Sequence, residues 1–417
     1  GFFPIFFKQK TTYETGIRLR TSCLTLVTAL AGLLVAFAAP VLGAIADRGA
    51  ARKSFLARFA ALGVVSTALL FFVGQGQWIG AIMVYTAAIV GFSGANVFYD
   101  ALLPHVAPRG QLERISAFGF AAGYLGGGLL FLLNVVMTLK PTLFGLSDSA
   151  AAVRWSFLTV AVWWGGFSLA TFYWVPEPIV LPSPSVGNSV GQAWRQILTT
   201  LRHARDRKPL FLFLLAYWFY IDGVDTIIRM AVDYGLSLGF SSNDLIIALL
   251  IVQFVGFPAA ILYGKLGEKW GVRKAIYLAI AIYMGITVWG TMMTQKHEFY
   301  ILAAVIGLVQ GGIQALSRSY YSRLIPKNQA AEYYGFYNML GKFAAIIGPA
   351  LIGIVGLMVR RMLMPPSPTA EQLVSIGQVA SRWSIGSILI LFILGMVLFY
   401  FVDEEKGKEQ AKFLAEN

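Results

Sequence analysis

The chain has 417 residues, of which 57% are apolar and only 13% charged, with a mean hydropathy of +0.69. That balance excludes the string of soluble domains ordinarily expected at this length and points to a polytopic membrane protein. The net charge of +13 does not signal nucleic-acid binding, because the basic residues are scattered through short loops between apolar runs.

Residues Gly1 to Phe7 are apolar but too few to cross a bilayer, and they read as the tail of a helix that starts upstream. Apolar runs follow at 23–46, 55–73, 78–99, 115–139 and 155–175. The character then changes. Pro176, Pro178, Pro182, Pro184 and Gly187 mark a non-helical linker. Val190, Trp194, Ile197, Leu198 and Leu201 recur at helical spacing, with Arg195, Arg202 and Arg205 between them. That pattern predicts an amphipathic helix lying on a membrane surface. Six further runs occupy 210–231, 245–266, 275–293, 299–321, 334–359 and 383–402, ahead of a charged tail at 404–417. Their length and continuous apolarity are wrong for barrel strands, which alternate over roughly 10 residues. The reading is an all-α membrane protein of twelve helices, the first truncated: six spans in 1–175, a linker at 176–208, and six in 209–403.

The halves repeat. Gly43, Asp47, Arg48, Arg52 and Lys53 follow the second span, and Gly264, Glu268, Lys269, Arg273 and Lys274 follow the eighth at the same spacing, 221 residues on. A second echo comes in the same order. Leu102-Leu103-Pro104 matches Leu324-Ile325-Pro326, and Phe118-Gly119-Phe120 matches Tyr334-Gly335-Phe336. Two ordered matches indicate an internal duplication. Carried back from Pro209, the offset places the start of the first span thirteen residues before Gly1.

The repeated loop resembles the signature of the major facilitator superfamily: glycine, acid, base, then paired bases between the second and third helices. The resemblance covers nearly the whole chain and implies the major facilitator fold, two pseudo-symmetric six-helix bundles that rock around a site at their interface. Gly1–Lys8, Phe98–Val106, Phe118–Leu133 and Ile221–Ala231 further resemble the bacterial branch of the vacuole effluxer family, relatives of fungal autophagy-linked vacuolar amino-acid exporters. That implies efflux of amino acids or other small metabolites through the cell's inner membrane, by a monomer. If the signature loops are cytoplasmic, with the linker and C-terminus, twenty lysines and arginines lie on that side and ten on the other, as positive-inside topology predicts. Arg229, Arg318 and Lys342 fall inside spans.

Charge inside the membrane marks the candidate site. Asp222, Asp225 and Arg229 share one face of the seventh span. At the bilayer centre such charges cost at least about 2.5–3.5 kcal/mol, so they belong in a bundle interior or a watery cavity. They either coordinate substrate and a coupling proton, or form a local Asp225–Arg229 pair. Tyr217 and Tyr220 flank Asp222 and are expected to line a substrate cavity. Asp47 and Glu268 are expected to accept N–H groups at a neighbouring helix start, and Arg48 and Lys269 to latch to carboxylates. Asp100, Arg318, Glu332 and Lys342 form either an inner-gate network or interfacial anchors. The stripe Gly119, Gly123 and Gly127 predicts close helix packing, and Gly348-Pro349 a kink.

No cofactor or metal site is expected. There is one cysteine, Cys23, and the three histidines, His105, His203 and His297, are far apart in sequence. An integral-membrane enzyme would need a nucleophile–base pair or metal cluster at membrane depth, and no such motif occurs. A non-transporting scaffold or receptor on the same fold is the other alternative, although it has no reason to keep buried charges. No ATP-binding motif appears, so an ion gradient or the solute's own gradient would drive transport.

Overall fold

The computed structural model describes residues 17–49, 51–74, 76–108, 110–177 and 207–416. The helix tail expected at 1–7 and the amphipathic helix of the linker lie outside them. Among the described residues there is no strand. The helices are α1 (Ile17–Arg48), α2 (Arg52–Leu69), α3 (Trp78–Val106), α4 (Leu112–Leu139), α5 (Ser149–Trp174), α6 (Lys208–Ser237), α7 (Ser242–Trp270), α8 (Val272–Met292), α9 (Lys296–Leu324), α10 (Ala330–Leu363), α11 (Ala370–Ser387), α12 (Leu389–Tyr400) and α13 (Glu404–Glu416).

Ten helical stretches among the described residues are long and apolar enough to cross a membrane. The 26-residue α5 is not among them; its Trp155, Trp163, Trp164, Tyr173 and Trp174 lower its hydropathy, though such rings suit the membrane interface. The twelfth span differs from expectation. It starts at Ala370, thirteen residues before Trp383, and is broken at Ile388 into α11 and α12. A capping box sets that start: Thr369 Oγ1 accepts the Gln372 N–H at 3.2 Å, and Gln372 Oε1 accepts the Thr369 N–H at 3.0 Å. Hydropathy overlooks such polar first turns.

The chain forms two compact units. The first comprises Gly1–Val106, Leu129–Thr199 and Lys327–Met339; the second comprises Ala107–Gly128, Thr200–Pro326 and Leu340–Asn417. One boundary between the units falls in the linker, and two others interrupt α4 and α10. The start of α10 belongs with α1–α3 and α5, and the start of α4 belongs with α6–α9 and α11–α13.

In the first unit, α2 and α3 touch backbone to backbone, since a Cβ on Gly91 would lie 2.3 Å from the Gly63 nitrogen. Leu70, Val73, Ala81, Ile82, Val153 and Phe157 form a buried apolar cluster, with Trp78 and Tyr85 packed against it. The start of α10 rests on α1: a Cβ on Gly335 would lie 2.5 Å from Pro40 Cα.

In the second unit, the α12 backbone at Gly395 lies against Tyr220 of α6, and the Phe392 ring fills the space beside Gly223. The expected glycine seam on α4 is tight at its far end, where a Cβ on Gly128 would lie 3.1 Å from Gln253 Cβ of α7. A Cβ on Gly123 would meet nothing within 4 Å. Instead the neighbours' glycines make room for a bulky α4 side chain: the Tyr124 ring sits between Gly256 of α7 and Gly311 of α9.

Candidate functional site

Pro209 stands in the first turn of α6, where its missing N–H costs nothing, and the helix then runs for 30 residues. Fourteen residues in, Asp222 is fully buried. Its Oδ1 accepts the Gly348 N–H of α10 at 3.0 Å and the Thr226 hydroxyl, one turn on, at 3.2 Å. Gly348 immediately precedes Pro349, which lacks an N–H and disturbs the helix turn around it. Only glycine fits there: a Cβ at 348 would lie 1.9 Å from Thr226 Oγ1 and 2.7 Å from Asp222 Oδ1. Asp222 Oδ2 is buried with no hydrogen-bond partner among the described residues. An unsatisfied carboxylate oxygen is an expensive arrangement.

Asp225, one turn further, is half-buried. It interacts electrostatically with Arg229 of its own helix and with Lys342 of α10. Tyr283 of α8 also feels its charge. Tyr283 is fully buried, and its hydroxyl has no hydrogen-bond partner among the described residues. Two carboxylates and two cations from α6 and α10 therefore share this region of the second unit. Further along α6, Met230 and Asp233 line a cavity of about 270 Å³ with Arg360, Ser381 and Ser384.

Tyr217 and Tyr220 lie elsewhere, in a packed aromatic cluster with Phe213, Tyr320, Tyr321 and Phe399. The Tyr220 hydroxyl is 2.7 Å from Ser317 Oγ. This placement is a helix-packing contact of α6 with α9 and α12.

At the first signature loop, Asp47 receives the start of α10. Its Oδ1 accepts the Ala331 N–H at 3.1 Å and its Oδ2 the Glu332 N–H at 2.9 Å. A helix N-terminus favours such an anion. Gly43 permits the approach, since a Cβ there would lie 2.2 Å from the Ala331 carbonyl oxygen. Arg52 is wholly buried and divides its donors among four acceptors: Asp47 Oδ1 at 2.6 Å, the His105 ring at 3.1 Å, and the carbonyl oxygens of Lys327 at 3.2 Å and Asn328 at 3.1 Å. The Lys53 ammonium donates to the Phe172 carbonyl at 2.9 Å and to that of Val175, while its N–H donates to the Glu177 carboxylate. The Arg48 side chain lies outside the described set.

The second signature loop is built differently. Gly264 again permits close approach, here to Ala117 of α4. Glu268, Lys269 and Lys274 are exposed, and Arg273 donates to the Tyr400 carbonyl at 2.5 Å. An ion pair at this end comes from residues outside the loop: Arg323 of α9 bonds Glu113 in the first turn of α4.

The four charges expected at the inner gate each have contacts within their own unit. Asp100 accepts from Asn338 at 3.1 Å, and Glu332 is buried at the Asp47 contact. Arg318 donates to the Ser116 hydroxyl and carbonyl, both at 3.0 Å, with its guanidinium 4.7 Å from the Phe120 ring. Lys342 interacts electrostatically with Asp225 and Arg229. Sequence reasoning did not single out Thr226, His105 or Arg323 as site residues. Gly348-Pro349 was the one visible signal for the Asp222 contact.

The family described as vacuole effluxer Atg22 like matches residues 13–111 and 107–358. The chain is 38% identical over 410 residues to the uncharacterized MFS-type transporter YxiO of Bacillus subtilis (strain 168), covering 98% of this chain and 91% of the relative. It is 25% identical over 344 residues to autophagy-related protein 22-2 of Aspergillus niger, covering 74% of this chain and 54% of that protein. Among solved structures, the proton:xylose symporter XylE matches with a TM-score of 0.66 at 16% identity, over 97% of this chain and 90% of that one. The human organic anion transporter MFSD10 matches at 0.61, also at 16% identity, over 95% and 88%. At such identities the likeness concerns the fold alone.

Proposed function

Because the chain belongs to the vacuole effluxer family of major facilitator transporters, we propose that this secondary transporter exports a small zwitterionic metabolite, such as an amino acid, coupled to a proton on Asp222. It is a multi-pass membrane protein, and its relatives and fold neighbours are transporters rather than enzymes. The family's name supports efflux. The excess of lysine and arginine beside the signature loops supports a cytoplasmic placement for them, and with them the linker and C-terminus. The protein acts as a monomer in the cell's inner membrane.

One observation carries the mechanism: the Asp222 carboxylate of α6 is bonded to the proline-disturbed turn of α10, beside Asp225, Arg229 and Lys342. A proton on Asp222 removes one negative charge from this group and weakens its grip on Gly348. Arg229 and Lys342 then hold a solute carboxylate while Asp225 holds an amine. Proton loss reverses the balance, so proton movement and solute movement are linked. Asp47 and Arg52 act away from the solute, as a latch made while the cytoplasmic face is closed. Asp100 and Glu332 support that latch on the α10 side.

Uptake by proteoliposomes against a panel of amino acids and small metabolites, with and without a pH gradient, tests the reading. The expected result is a solute whose movement responds to the gradient. A panel that moves no faster than in protein-free liposomes would favour a membrane scaffold or receptor.

A further inference from the structure

We infer that the C-terminal helix α13 is part of the gate, holding the start of α4 in place through a shared arginine. Glu113, in the first turn of α4, has a side chain only 2% exposed, and its carboxylate is paired with Arg323 near the end of α9. A carboxylate so buried depends on its partner, because removing one member of a buried pair leaves the other uncompensated. The same guanidinium donates through its other terminal nitrogen to Glu404 at 2.9 Å, in the first turn of α13. Glu404 is held in turn by Lys408 at 2.8 Å. Arg323 thus bridges α4 and α13, a task for its planar fork of donors.

The tail helix is itself docked. A Cβ on Gly407 would lie 2.5 Å from Leu324 Cδ2 and 3.3 Å from Pro209 Cβ, and Ala411, one turn on, is buried. So α13 seats on the first turn of α6 and the last turn of α9, and from there orients Arg323 toward Glu113. The first signature loop latches through its own acid, Asp47. At the second loop Glu268 is exposed, and the Glu113–Arg323–Glu404 chain takes up the corresponding work. Glu404 is therefore a positioning residue. It acts on α4 through Arg323, and loss of the tail contact favours release of α4. The structural claim stands on these contacts alone; only its place in a transport cycle rests on the transporter reading.

Hydrogen exchange on the full-length protein in lipid nanodiscs tests this without any solute. The variants are Glu404→Gln, Arg323→Gln and their double, with Glu405→Gln as control. Glu405 pairs with Lys408 at 2.9 Å but does not touch Arg323. Glu404→Gln is expected to speed exchange over residues 112–118 by about two- to fivefold, the range of a partly exposed ion pair. The control should leave that segment unchanged, and the double should exceed Arg323→Gln by little, because both act through one pair. If Glu404→Gln loosens α13 alone while α4 exchanges as in the parent, the tail does not hold the gate and the inference is overturned. That result would leave the transporter reading untouched, whereas an inert proteoliposome panel would leave this one untouched.

Discussion

Asp222 and Gly348 join two helices by a 3.0 Å hydrogen bond from a backbone N–H to a buried carboxylate, one residue before a proline. The contact has no spare room, as Thr226 Oγ1 occupies the place of a side chain at 348. Gly348→Ala should therefore destabilise the protein by about 1–3 kcal/mol, the usual effect of overpacking. Thermal unfolding in detergent measures it. Adding Thr226→Ala should recover part of the loss, because the two changes share one volume. An unfolding temperature equal to the parent's would mean that the α6–α10 contact is not tight.

Arg52 divides one guanidinium among Asp47, His105 and two backbone carbonyls. Lysine offers a single ammonium in place of that fork. Arg52→Lys should consequently behave like Asp47→Asn. Each should lower transport at least about tenfold, equivalent to roughly 1.4 kcal/mol, and speed hydrogen exchange in the first turn of α10, with little change in solute affinity. A large loss of equilibrium binding in Asp47→Asn, with alternation intact, would make Asp47 a solute ligand instead.

The tail contact carries a pH dependence. Burial raises the Glu404 carboxyl, but hydrogen bonds and charge from Lys408 and Arg323 outweigh it and hold the group below the ordinary glutamate value. A depressed carboxylate stabilises the docked helix above its unfolded value, about 4.3, and that stability fades as pH falls through the lower folded one. Protection of α13 should be constant from neutral pH to about pH 5 and decline below about pH 4. Glu404→Gln should flatten that decline. A decline centred near neutral pH would implicate another group.

What was legible in the sequence follows from the physics of each signal. Spans announce themselves by continuous apolarity, and the Asp47 loop by being repeated at Glu268 with its spacing intact. Membrane depth made Asp222 visible, but its partner was not, because Gly348 lies 126 residues away and only folding brings α10 alongside. Lys342 read as an end-of-helix charge because the apolar run starts at Tyr334. The helix begins at Ala330, so Lys342 lies twelve residues in, about 18 Å along the axis. The packing of Tyr220 against Ser317 and Gly395 has no sequence signal, because both partners are distant in the chain. Glu113 is visible only as part of the second repeat echo, Pro108–Gln111–Glu113 against Pro326–Gln329–Glu332, and Arg323 reads as an ordinary charge at a span end until the fold pairs the two.

Transport by Asp222→Asn tests whether Asp222 carries the coupling proton. Asparagine keeps the shape and an oxygen that can accept the Gly348 N–H, but it cannot exchange a proton. Normal membrane insertion and thermal stability, loss of gradient-driven transport, and partly retained counterflow exchange are expected. A variant that transports like the parent at every pH, or that simply fails to fold, would contradict that role.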